Sequence, residues 1–176
     1  MNSEIETFFN ACAHGPSAEV DRLIDAGINV DVQMPDSGYT GLLRAAIMGN
    51  EETLALLIKR GADVNHNNQP LHFSALFGRT AICHALTMAG ADTRGVDSVG
   101  NTPLHVAADF GWIGTCIALL NAGSDVHLKN HDGKSALMIA YAAGGVVKEA
   151  FISSANAWAL THAAIDCARA KQTKGN

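Results

Sequence analysis

The sequence predicts an all-α solenoid with short β-hairpin fingers. Helix-turn-helix units stack side by side, and a capping helix closes each end. Three observations predict this. A unit recurs along nearly the whole chain, most cleanly in residues 97–125 (DSVGNTPLHVAADFGWIGTCIALLNAGSD), with a turn signal, a helix opening on Thr102-Pro103, a Gly break, a second apolar helix and a closing Gly-Ser-Asp. Glycines mark its register: Gly27, Gly61, Gly90 and Gly123 end the second helices at spacings of 34, 29 and 33, while Gly15, Gly49, Gly78, Gly111 and Gly144 fall between the two helices of each unit. Between the glycines, apolar residues recur at helical spacing, and a fixed period governs the choice of fold.

Five units result, over residues 1–33, 34–66, 67–95, 96–129 and 130–154, with a C-terminal capping helix over 155–171, all in a single domain. The first unit lacks the turn and the Thr-Pro start. Its helices are expected over Glu4–His14, with Ile5, Phe8, Phe9 and Cys12 on the core face, and over Ser17–Ala26, with Val20, Leu23 and Ile24 inward and Ser17 as N-cap. An atypical first unit suits a stack, because one of its faces meets water. The second unit opens on the turn Pro35-Asp36-Ser37-Gly38. Its second helix, Glu51–Arg60, places acids in the first turn and Lys59-Arg60 in the last, matching the helix dipole.

The third unit keeps both helices, Pro70–Phe77 and Thr80–Ala89, but has only His66-Asn67-Asn68-Gln69 where a finger should be. About four residues of finger tip are missing. That gap reads either as a tolerated loop deletion or as a notch that admits part of a partner. The fourth unit turns at Asp97-Ser98-Val99-Gly100, and the fifth at Asn130-His131-Asp132-Gly133. The fifth unit's second helix, Val146–Ile152, lacks a closing Gly-Ala-Asp; the cap beyond it carries Trp158, Leu160, Ile165 and Cys167.

Thr102-Pro103-Leu104-His105, Ala107-Ala108, Gly111, Leu119-Leu120 and Gly123 resemble an ankyrin repeat, a family whose period is about 33 residues. Gly61-Ala62-Asp63-Val64-Asn65 closes the second unit in the same style. The resemblance implies that the imidazoles of His72 and His105 bond nearby backbone and tie one repeat to the next. Leu43 and Met138 stand where that His would be in units two and five, so looser bonding is expected there. Leu57, five further residues and then Asp63-Val64-Asn65 also resemble the asparagine-hydroxylation pattern of eukaryotic ankyrin repeats, though this is largely the repeat consensus itself.

For function, the resemblance implies a partner protein held on the concave face, which the fingers and the exposed side of the first helices form. The positions flanking the mid-unit glycines place Ile47, Met48, Leu76, Phe77 and Arg79 there, followed by Asp109, Phe110 and Trp112. The fingers add Tyr39, Asn101 and Lys134, with Val99 beside them. A row of large apolar groups without a covering neighbour is a candidate interface, with Phe77, Phe110 and Trp112 as its first anchors. The alternative is that these side chains fold inward or lie beneath the C-terminal helix. The expected role is a non-catalytic binder, an inhibitor, immunity or effector protein that is a monomer when unbound. The rival is an assembly subunit that buries the same face in a homo-oligomer.

Composition narrows the field further. The net charge is −5 with no Lys/Arg cluster, which argues against a nucleic-acid partner, and no apolar run reaches membrane-spanning length. Glu4 and Glu6 stand where an export signal wants basic residues, so a cytoplasmic protein is expected, with signal-less secretion left open. Cys12, Cys83, Cys116 and Cys167 are widely spaced in apolar helical contexts, as small buried hydrophobes in a reducing compartment would be. No HExxH, GxGxxG, P-loop or GxSxG motif occurs. His127 and His131 fall in a predicted hairpin, where a spacing of four puts them on no common helical face. No cofactor, metal or catalytic residue is expected.

Overall fold

Helices follow one another in pairs, and the links within a pair are too short for anything but a fold-back. The computed structural model describes residues 3–143 and Ser153. Within them the pairs are α1 (Ser3–His14) with α2 (Ser17–Asp25), α3 (Gly41–Met48) with α4 (Glu51–Lys59), α5 (Gln69–Leu76) with α6 (Thr80–Met88), and α7 (Pro103–Asp109) with α8 (Ile113–Asn121), followed by α9 (Ala136–Ala143). The fifth unit's second helix and the capping helix over 155–171 lie outside the described residues.

The helices form two rows. α1, α3, α5, α7 and α9 pack in succession along the inner row, and α2, α4, α6 and α8 along the outer one. Packing is closer along the inner row, and small side chains allow it. Ala45, Ala46, Ala75, Ala107, Ala108 and Ala140 are all fully buried where neighbouring backbones approach. Larger side chains fill the space between the rows, with Phe8, Leu42, Leu54, Leu57, Leu86, Leu104 and Leu119 at 0% exposure. No unit could bury these faces alone, so each depends on the next.

The fingers are turns more than strands. Only Gln33–Thr40 and Lys129–Ser135 make isolated antiparallel bridges among the described residues. In the fourth unit the loop is closed by the Asp97 amide on the Asn101 carbonyl (3.0 Å), without a bridge. In the third unit the finger is replaced by a single 3-10 turn, His66–Asn68, with Asn67 in the left-handed region at φ 50°. Asn tolerates that conformation better than most residues.

Side chains also link loop to loop. The Asp31 carboxylate accepts from the Asp63 amide (2.9 Å), and the Asn65 carbonyl oxygen Oδ1 from the Asp92 amide (2.8 Å). The Asn65 amide nitrogen donates to the Gly90 carbonyl at 3.2 Å, so the residue in the hydroxylation-like pattern uses both ends of its side chain. One local expectation is corrected. Ser17 is the first helical residue rather than the cap, and its hydroxyl donates to Glu52 on α4. A carboxylate on the next unit competes better for that hydroxyl than a local amide does.

Candidate protein-binding face

Three inner helices, α3, α5 and α7, stop at a glycine in the left-handed conformation: Gly49 (φ 81°), Gly78 (φ 63°) and Gly111 (φ 71°). The reversal turns the preceding side chain out of the stack. Met48, Phe77 and Phe110 therefore form a row across three units at 37%, 44% and 55% exposure. Ile47 and Leu76 lie half-buried behind the row, while their counterpart Asp109 is exposed and sets a carboxylate beside Phe110.

One helical turn earlier a second row runs along the floor. Phe73 stacks on Phe77 (centroids 6.4 Å apart, 25° between planes) and meets Tyr39 of the preceding finger edge-on at 5.9 Å. Phe73, Leu76, Val106 and Ile139 form the base of a groove of about 500 Å³. Its rim holds Asp109 and Phe110 on the helix side and Asp97, Asn101, Asp132 and Lys134 on the finger side. Sequence reasoning found the first row from the glycines but missed Phe73, Val106 and Ile139. The available signal was the i−4 position from the first row.

The finger side of the groove is braced by histidines. His72 Nε2 lies 2.9 Å from the Asn101 carbonyl, and His105 Nε2 lies 3.1 Å from that of Lys134. The Thr102 amide donates to His105 Nδ1 at 3.2 Å, so Nδ1 is the acceptor and Nε2 carries the proton. Burial holds this imidazole below its ordinary range, which keeps it neutral. Asn101 and Lys134 are thus finger anchors through their backbones. The Asn101 side chain also accepts from Asn130 (2.8 Å), whereas the Lys134 side chain is exposed. Val99 is 54% exposed at its finger tip, and its carbonyl accepts from the His131 amide, joining the fourth and fifth fingers. No such imidazole stands at Leu43 or Met138; there Thr40 Oγ1 and Ser135 Oγ accept the local helix amides.

The residues just after the mid-unit glycines do different work. Asn50 Nδ2 donates to the Gly15 carbonyl (3.2 Å), Arg79 Nη2 to that of Ile47 (3.3 Å), and Trp112 Nε1 to that of Leu76 (3.0 Å). Each side chain reaches back one unit and satisfies a carbonyl at or just past the end of the preceding inner helix, where intrahelical donors run out. The Trp112 ring packs against Gly78. It keeps 42% exposure, yet it is a clamp between repeats before it is a free anchor.

Among the described residues no group of three or more His, Cys, Asp or Glu side chains could hold a metal ion, and no helix is long and apolar enough to cross a membrane. The family model described as ankyrin repeats (3 copies) matches residues 8–97 and 71–151. The chain is also 31% identical over 91 residues to the Ankyrin repeat and SAM domain-containing protein 6 of Danio rerio, a stretch covering 52% of this chain and 11% of that protein. This chain therefore corresponds to only a small part of that relative, and the agreement of period, helix rows and family match carries one conclusion: the chain belongs to the ankyrin repeat family.

Proposed function

We propose that this chain is a non-catalytic module that holds a partner protein on its concave face. Ankyrin repeats are generally protein–protein interaction modules. The observation that carries the reading is the row Met48, Phe77 and Phe110, exposed along the edge of an apolar groove that no neighbouring repeat among the described residues fills. Exposed patches of aromatic and aliphatic side chains mark interaction sites, and aromatic anchors dominate interface energetics. The exposed Asp109, Asp132 and Lys134 supply a polar rim. Such a module acts by occupying its target, as an inhibitor or an adaptor does. Three buried free thiols (Cys12, Cys83 and Cys116) support a reducing, cytoplasmic setting.

The test is capture of partners from native lysate by the wild type and by Met48→Ala/Phe77→Ala/Phe110→Ala, read by mass spectrometry. Trp112 is left intact because it clamps two repeats. A protein recovered only by the wild type is the expected result, with a central anchor worth about 2 kcal/mol or more. Equal recovery by a folded triple variant would move the interface off this face. A concentration-independent dimer in sedimentation that hides these residues would replace the reading with homo-oligomer assembly.

A further inference from the structure

We infer that the groove and the gap left by the missing third finger form one channel for a partner segment with apolar anchors and a basic flank, and that the segment leaves through the gap. This rests on the concave-face reading and specifies the partner's chemistry. A second hollow of about 320 Å³ lies at the gap, between Asn67 and Gln69 of the shortened turn and Val96, Asp97 and Ser98 of the next finger. His72, Phe73 and Asp97 line both hollows, so the two lie side by side with those three residues between them. Asn67, which lines this second hollow, belongs to the short turn from which a longer third finger would be built.

Two observations select the occupant. The main groove is rimmed by three carboxylates, Asp97, Asp109 and Asp132, against the single ammonium of Lys134. His105 adds no charge, since burial keeps it neutral. An apolar floor under a net-negative rim favours Lys or Arg beside Leu, Phe or similar residues. At the gap, Gln69 Oε1 is buried without a hydrogen-bond partner among the described residues, and a backbone N–H of a passing chain satisfies it only if the Gln69 side chain swings outward. α5, α7 and α9 packed at roughly 10 Å intervals span about 20 Å, the reach of about six extended residues.

The experiment pans a phage-displayed library of random peptides, about twelve residues long, on the full chain, then measures synthetic winners by fluorescence anisotropy. Enriched peptides are expected to combine aromatic or aliphatic residues with Lys or Arg. Their affinity should fall at least tenfold for Asp109→Lys/Asp132→Lys, and similarly for a chain with Asp-Gly-Asn-Thr inserted after Asn67 to rebuild the finger. Asp36→Lys, on the second finger, should leave affinity unchanged. Circular dichroism melts confirm folding; should the insertion unfold the third unit, Gln69→Leu tests the gap instead, with a smaller loss expected. Failure to enrich any peptide, winners without basic residues, or winners indifferent to the aspartate variant would each overturn the inference. So would self-association abolished by the aspartate variant, which assigns the groove to a second copy. A lysate partner that needs Phe77 and Phe110 but ignores both the aspartates and the rebuilt finger would keep the concave-face reading and sink this one.

Discussion

His105 shows how much one buried side chain settles in this protein. It is 1% exposed, its Nδ1 accepts from the Thr102 amide and lies 2.8 Å from the Thr102 hydroxyl, and its Nε2–H donates to the next finger. His105→Ala would strand the Thr102 amide and the Lys134 carbonyl and leave a cavity. A loss of about 3 kcal/mol in urea unfolding is expected. The pH dependence follows from the depressed imidazole. Because the folded value lies below the ordinary 6.5, the unfolded chain takes up the proton first as pH falls. The group's contribution is whole above 6.5 and is lost as pH drops through the folded value. Unfolding free energies from about pH 8 to pH 5 should therefore fall more steeply for the wild type than for His105→Ala. Parallel slopes would mean that burial does not hold the folded imidazole below its unfolded value.

At the scale of the helix pair, the junction between units three and four depends on Gly78 and Trp112. Gly78 sits at φ 63°, and a Cβ added there would come within 2.5 Å of the indole. Gly49 has a comparable backbone, φ 81°, but the nearest atoms that a Cβ would meet are those of the flexible Arg79 guanidinium, at 3.0 Å. Both Gly→Ala changes incur left-handed strain of about 1 kcal/mol. Gly78→Ala must in addition displace the ring and break its bond to Leu76. It should therefore cost about 2 kcal/mol or more and shift the Trp112 fluorescence, whereas Gly49→Ala costs clearly less. Equal losses measured by denaturant titration would show that the ring does not clamp the repeats.

Across the whole molecule, stability is a chain of nearest-neighbour terms, so opening should begin at an end. Cysteines report on this. Cys12, Cys83 and Cys116 are buried in successive regions of the stack, and burial pushes their thiols up to about 12, 11 and 12. Iodoacetamide acts on the thiolate, so in the native protein at about pH 8 none of the three should react except through opening. Peptide mapping over time should find Cys12, in the first unit, alkylated before Cys83 in the middle. All three should react at once in denaturant. Cys83 labelled as fast as Cys12 would mean that the stack opens as one unit.

The sequence by itself determined the repeat, its register, the helix pairs and the row Met48, Phe77 and Phe110. Those follow from glycines that end helices and from apolar spacing, both local in the chain. Only the tertiary structure decided what each side chain does with the next unit. Trp112 and Arg79 read as free interface residues by position, yet carbonyls one repeat away take up their donors. Ser17 reads as a cap, yet Glu52 claims its hydroxyl. Phe73, Val106 and Ile139 became groove floor because adjacent inner helices pack close enough to set them in a row. Such contacts join residues some thirty positions apart, one period of the repeat, and their partners come from stacking geometry, which local spacing does not encode.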